Sequence, residues 1–267
     1  MTVGGKDDRK ALGRDARPML PRRFYKSATV EAAAPPTPDP SPQGGGEPRV
    51  AYRILLDGKA MRTPAKAMFA VPTRALAEAI AAEWEAQREH IVPAAMPLTK
   101  LTNSAIDGVR GREAAVRDDI VKYAGSDLVC YRAPQPESLV RRQAELWDPI
   151  LVWSRDALGA SFVVADGIMP VAQPEAATAA VERALAGHDA FALTALHVMT
   201  TLTGSAVLAL AHARGRLSAE EAWAAAHVDE DWQISQWGED AEATARRQRR
   251  WLEMQAASRL LGLLRMA

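Results

Sequence analysis

RVAYRILLDGKAMRTPAKAMFAVPTRALAEAIAAEWEAQREH, residues 49–90, changes its hydrophobic period part-way along, and that change decides the fold. In its first half, apolar runs flank Asp57-Gly58. This dipeptide is a hairpin signal with a mechanism, because Gly58 readily takes the positive φ of a tight turn. The spacing pairs 49–56 with 60–63, and 67–71 adds a further strand. Thr73 then reads as an N-cap. Leu76, Ile80 and Trp84 recur every four residues as one apolar stripe, with Glu78, Glu85 and Arg88 off it. A helix is predicted to lie on the sheet, with Trp84 as its anchor.

Upstream, RRFYKSATV (22–30) has the aromatic and β-branched content of a strand. The Pro- and Gly-rich AAAPPTPDPSPQGGGEP that follows holds neither helix nor sheet. Downstream, a helix is expected over 113–124, and beyond 126–139 the patterns are helical only. Leu139, Leu146, Ile150 and Trp153 carry a helix over 138–157. Pro149 interrupts it, so either Asp148 caps a new turn or the helix kinks there. Further helices read over 174–187 and 189–213, the latter ended by Gly215. Ser218 and Glu221 form a capping box before EAWAAAHVDEDWQ, and a last helix runs from about 239 to 264. The expected class is α+β. A β-rich N-terminal domain with a packed helix (21–130) precedes an all-helical C-terminal bundle domain (131–267). Residues 1–20 are expected as a disordered tail and 35–48 as a mobile loop.

The 267 residues carry 33 Lys and Arg against 33 Asp and Glu. Zero formal net charge removes the basic excess that non-specific nucleic-acid binding leans on, so no nucleic acid is expected. Cys130 is the single cysteine, which excludes an intrachain disulfide and a cysteine-rich zinc module. The N-terminus lacks the apolar core of a secretory signal, and Asp7, Asp8 and Asp15 argue against a mitochondrial presequence. The longest apolar run, 190–211, has the length of a membrane span, but Thr194, His197, Thr200, Thr201, Thr203, Gly204 and Ser205 dilute it. It reads as a buried bundle helix, and no membrane insertion is expected.

None of the five histidines sits in an HxxxH, HxH or HExxH arrangement, so no metal is expected. His197 reads as a satisfied core residue. The chain contains no GxGxxG and no P-loop. TGSAV lacks the second glycine of a nucleophile elbow and reads as lying inside a helix. What stands out is DEDWQISQWGEDAE (229–242), with carboxylates crowded around two tryptophans. Glu230, Ile234, Trp237 and Ala241 share one helical face, and Trp232 is expected on another. Glu230 is thus an acid on an aromatic stripe, while Asp229, Asp231 and Asp240 can face water. A solvated charged face is the plain alternative, and so is an acid/base pair of Glu230 and Glu239 in a hydrolase. No catalytic residue and no cofactor is assigned.

TRALAEAIAAEWEAQREHIVPAAMPLTKLTNSAID, DLVCYRAPQPESLVRRQAELWDPILVW, LTGSAVLALA and DEDWQISQWGEDAE together resemble the assembly chaperones of the ATP synthase F1 alpha subunit, a family of mitochondria and alphaproteobacteria. The likeness runs from about Arg22 to about Leu264. It implies a β-rich N-terminal and a helical C-terminal domain and no enzymatic activity. It implies a monomer that binds the newly made alpha subunit, shields the surface that later meets the beta subunit, and so promotes F1 assembly. The implied location is the bacterial cytoplasm, or the mitochondrial matrix in a eukaryote. The family's acidic QI..WG region falls on Glu230, Asp231, Gln233, Ile234, Trp237 and Gly238, with Glu239 beside them, as the partner-binding set. Trp84, Trp147 and Pro149, from the EW and WDP blocks, are read as structural. A helical scaffold with a different partner is the remaining alternative.

Overall fold

The computed structural model of the protein describes residues 20–33, 50–167 and 169–266. The tail expected over 1–20, Leu20 apart, and the loop expected over 35–48 lie outside the described residues. Four strands open the fold: β1 (Ala28–Ala33), β2 (Ala51–Leu56), β3 (Lys59–Ala60) and β4 (Ala70–Val71). β2 is central, antiparallel to β1 on one side and to β3 and β4 on the other. Asp57 and Gly58 both take positive φ, 47° and 78°, which is the backbone of a two-residue turn whose twist matches its strands. The strand read over 22–30 starts only at Ala28, and ahead of it Arg22 forms a single bridge with His90.

The first helix, α1 (Arg74–Glu85), begins where its cap was expected, with Leu76 N donating to Thr73 Oγ1 at 3.2 Å. Leu76, Ala77, Ile80 and Ala81 are buried, and the helix lies on β1 and β2. Trp84 is not the centre of that buried stripe. Its ring is half-buried against Tyr25, 5.5 Å away, and its carbonyl accepts from the Tyr25 hydroxyl at 2.7 Å. The deeper residue is Glu83, which reaches to α2 (Pro97–Ser104). Leu98 N, Thr99 N and Thr99 Oγ1 donate to its carboxylate at 2.7, 2.8 and 2.8 Å. Met96 at the cap position of α2 supplies no acceptor. Glu83 fills that role from another helix, where a carboxylate also meets the positive end of the helix dipole. A π-wound turn (Ala105–Val109) leads from α2 toward α3 (Glu113–Ala124).

The C-terminal half is helical apart from one two-residue parallel pair, β5 (Tyr131–Arg132) with β6 (Ala165–Asp166). Between these strands, α4 (Glu137–Trp153) continues through Pro149 as one element and then winds as a π-helix over Ser154–Leu158. Asp148 caps nothing and instead pairs with Arg132 at 2.8 Å. Pro149 lies on the exposed side, where water can take the carbonyl its ring leaves unbonded. Next come α5 (Glu175–Leu185), α6 (Ala190–Thr203) and α7 (Ala206–Ala213). The long apolar run is therefore two helices, parted at Gly204 with φ 69°. TGSAV sits at that corner and not inside a helix, with Ser205 Oγ accepting from Leu208 N at 3.0 Å. Among the described residues no helix is long and apolar enough to cross a membrane.

Three helices complete the chain: α8 (Ala219–Ala226), α9 (Val228–Trp237) and α10 (Ala241–Leu264). The capping box of Ser218 and Glu221 is present. The main core is one set of buried side chains that runs from Tyr25, Ile54 and Phe69 through Leu196 and Met199 to Leu260 and Leu261. A smaller core gathers Trp147, Ile150, Val207, Leu208 and Val228, with Trp147 Nε1 donating to Ala225 O at 2.7 Å. The end of α10 also closes on the start of α1, because Thr73 Oγ1 donates to Leu263 O at 2.9 Å. The architecture is α+β, a small antiparallel sheet with α1 upon it and a helical C-terminal half.

Candidate functional site

Two polar contacts hang α9 from α4. Gln143 Nε2 donates to Asp229 Oδ1 at 2.6 Å, and Trp232 Nε1 donates to Ser138 Oγ at 3.2 Å. A third contact, Arg247 Nη1 to Asp231 Oδ1 at 2.5 Å, ties α9 to α10. Val228 is the one fully buried side chain of α9, so these contacts position a helix that has little core of its own.

The turn from α9 into α10 depends on Gly238. Its φ of 86° and ψ of 177° fall where only glycine sits without strain. Asp240 then caps α10 by accepting from Ala243 N at 2.7 Å. The helical face expected to run from Glu230 to Ala241 consequently stops at Trp237, and Ala241 belongs to the next helix. Trp232 does not point away from Trp237. The two rings meet edge to face with centroids 5.6 Å apart, at the end of α9.

Between α9 and α10 lies an open cleft of about 550 Å³. Of the residues singled out in the sequence, Glu230, Gln233, Ile234, Trp237, Gly238 and Glu239 line it together. Asp231 does not; it is half-buried and held by Arg247. Trp237 is 75% exposed despite its contact with Trp232. Glu230 and Glu239 are exposed, and neither forms an ion pair among the described residues. The opposite wall is basic, made by Arg246, Arg247 and Arg250 of α10. Arg250 is anchored by donating Nη2 to Leu202 O at 2.6 Å. These arginines, and the tie of Asp229 to Gln143, were not singled out in the sequence. The signal for the arginines was there: ARRQRRW (245–251) places three of them on one helical face.

His227 joins α8 to α9. It is buried, its ring stacks on Trp223 with centroids 3.8 Å apart, and Nδ1 donates to Trp223 O at 2.8 Å. Burial pushes its pKa below the ordinary imidazole value. The Trp223 carbonyl and Glu230 act the other way, and Arg247 and Arg250 add to the depression. His227 is therefore a neutral packing residue near pH 7.

Chemically the three carboxylates that line the cleft, Glu230, Glu239 and Asp240, are all exposed, where general acid catalysis needs one that is desolvated. Among the described residues no group of three or more His, Cys, Asp or Glu could hold a metal ion. The cleft instead combines an exposed aromatic edge with charges of both signs. Elsewhere, His197 Nε2 lies 2.8 Å from Asp119 Oδ2, so the histidine of α6 is partnered, although it is half-buried and not fully in the core.

A family model described as ATP12 chaperone protein matches residues 22–155. The Atu1473 protein of Agrobacterium tumefaciens is 48% identical, with 92% of this chain and 87% of that one covered and a TM-score of 0.83. Atp12 from Paracoccus denitrificans is 40% identical over 91% of this chain and 98% of its own, with a TM-score of 0.81. A point mutant of the Paracoccus protein matches equally well, at 39% identity and a TM-score of 0.82.

Proposed function

Since the chain belongs to the ATP12 chaperone family, we propose that it binds the unassembled alpha subunit of the ATP synthase F1 sector and covers the surface that subunit later presents to its neighbour. A ring subunit waiting for partners exposes apolar interface, and exposed interface aggregates. Holding it requires binding without turnover, so no catalytic residue and no cofactor is needed. We place this work in the bacterial cytoplasm, or in the mitochondrial matrix of a eukaryotic host, with a monomeric chaperone.

The observation that carries this reading is Trp237, three-quarters exposed at the lip of the α9/α10 cleft with Ile234 and two unpaired carboxylates beside it. An exposed tryptophan among charges is the composition of an interface anchor. Glu230, Gln233, Ile234, Trp237, Gly238 and Glu239 form the proposed contact surface. Asp231 contributes indirectly, by holding α10 opposite α9. The test is retention of recombinant alpha subunit by the immobilised protein, with Glu230→Lys, Glu230→Gln and Trp237→Ala compared at equal folded fraction. Glu230→Lys and Trp237→Ala should each lose at least tenfold in affinity, and melting temperatures should move little because both side chains are exposed. Unchanged retention by all three variants rejects this surface.

A further inference from the structure

The α10 wall of the cleft adds a requirement of its own. Arg247 is committed to Asp231, and Arg250 donates to the Leu202 carbonyl. Arg246 lines the same cleft, is exposed, and forms no hydrogen bond or ion pair among the described residues. The same cleft is lined by Glu230 and Glu239, also without ion pairs among the described residues, by Asp240, which is committed to capping α10, and by Ile234 and Trp237. A free cation, two free anions and an apolar pair thus border one space of about 550 Å³.

Resting on the reading above, we propose that the cleft takes a bipolar segment of the client: an apolar side chain seated on Trp237 and Ile234, a basic residue against Glu230 and Glu239, and an acidic residue against Arg246. Charge complementarity supports this occupant over a uniformly basic one. A client segment carrying only Lys or Arg would satisfy Glu230 and Glu239 and drive like charge onto Arg246, with Arg247 and Arg250 lining the same cleft. Apposed like charge works against a wrong partner as well as for the right one. A purely apolar segment would leave all three ionised side chains desolvated without partners.

Arg246 is at the rim, so its effect should appear in association rate and salt dependence as much as in affinity. Binding of recombinant F1 alpha subunit to the immobilised full-length protein is measured at low and at physiological salt. The parent is compared with Arg246→Glu, Arg246→Lys and Arg249→Glu; Arg249 is exposed on the same helix but does not line the cleft. Arg246→Glu is expected to weaken binding about tenfold or more and to flatten the salt dependence, Arg246→Lys to stay within about threefold, and Arg249→Glu to stay within about threefold. Equal losses in Arg246→Glu and Arg249→Glu would reduce the effect to overall charge and overturn the bipolar cleft, with the alpha-subunit reading intact. Tighter binding by Arg246→Glu would mean a uniformly basic client segment and overturn it likewise. A parent that retains no alpha subunit overturns both.

Discussion

Glu83 on α1 caps α2: its Oε1 accepts from Leu98 N at 2.7 Å, while Oε2 takes both the amide and the hydroxyl of Thr99 at 2.8 Å. Three donors on one buried carboxylate mean that truncation strands them all. Glu83→Ala is expected to destabilise the protein by about 3 kcal/mol. Glu83→Gln loses roughly half as much, because one of its two polar atoms is itself a donor and must face a donor. The midpoint of urea unfolding at unchanged m-value measures both. Equal midpoints for Glu83→Ala and parent would remove the cap from the account.

Asp127 gives the stability a pH dependence. It is fully buried, accepts from Val207 N at 3.0 Å, and has its pKa raised from 3.8 to about 6 by burial, against the pull of Ser205 and nearby backbone amides. A carboxyl raised on folding stabilises most below its unfolded pKa and loses that contribution as pH climbs through the folded one. Asp127 alone should therefore lower stability by about 3 kcal/mol between pH 3.8 and neutrality. In Asp127→Asn this component of the pH profile is absent, although the variant is weaker at acid pH because it has one acceptor oxygen fewer. Difference unfolding curves at pH 4.5 and 7 decide it.

Cys130 should be inert in the folded protein. The thiol is buried, and burial with the nearby Asp127 pushes its pKa up to about 12. Thiolate is the reactive form, so iodoacetamide should label Cys130 only as fast as the surrounding structure opens. Labelling at the rate of a free thiol would contradict the packing.

At Gly238 the prediction concerns shape. A Cβ there would meet no atom within 4 Å, so space is not limiting and only the backbone conformation is. Gly238→Ala should cost about 1–3 kcal/mol of local strain and misplace α10 against α9. Alpha-subunit retention should fall more steeply than melting temperature. A variant with parental retention would show that the corner tolerates another backbone.

Local features of the fold were legible in the sequence and distant ones were not. The Thr73 cap and the Ser218–Glu221 box involve residues three apart, and the Asp57-Gly58 turn involves two, so the pattern carries the contact. Glu83 reads as one more charge on a helix, because its donors lie fifteen and sixteen residues away. Trp84 was over-read for a related reason: a four-residue period fixes an azimuth on the helix but not how far the sheet extends beneath it. The cleft was half legible. Carboxylates and tryptophans crowded into 229–242 identified one wall, while the opposing arginines became relevant only once Gly238 turned the chain. Helical geometry extrapolated past Gly238 also assigned Ala241 to the wrong helix. The division at residue 130 into two domains remains a proposal; the buried side chains of the main core come from both sides of it.

The bond from Thr73 to Leu263 spans 190 residues, and Met254, Ala257, Leu260 and Leu261 belong to the same core as Ile54 and Phe69. During synthesis the sheet and α1 leave the ribosome long before the helix that completes their packing. Until α10 emerges, the nascent chain exposes apolar surface of its own. A protein proposed to guard an unfinished subunit thus has an unfinished core of its own until α10 is made, and the α9/α10 cleft forms no earlier.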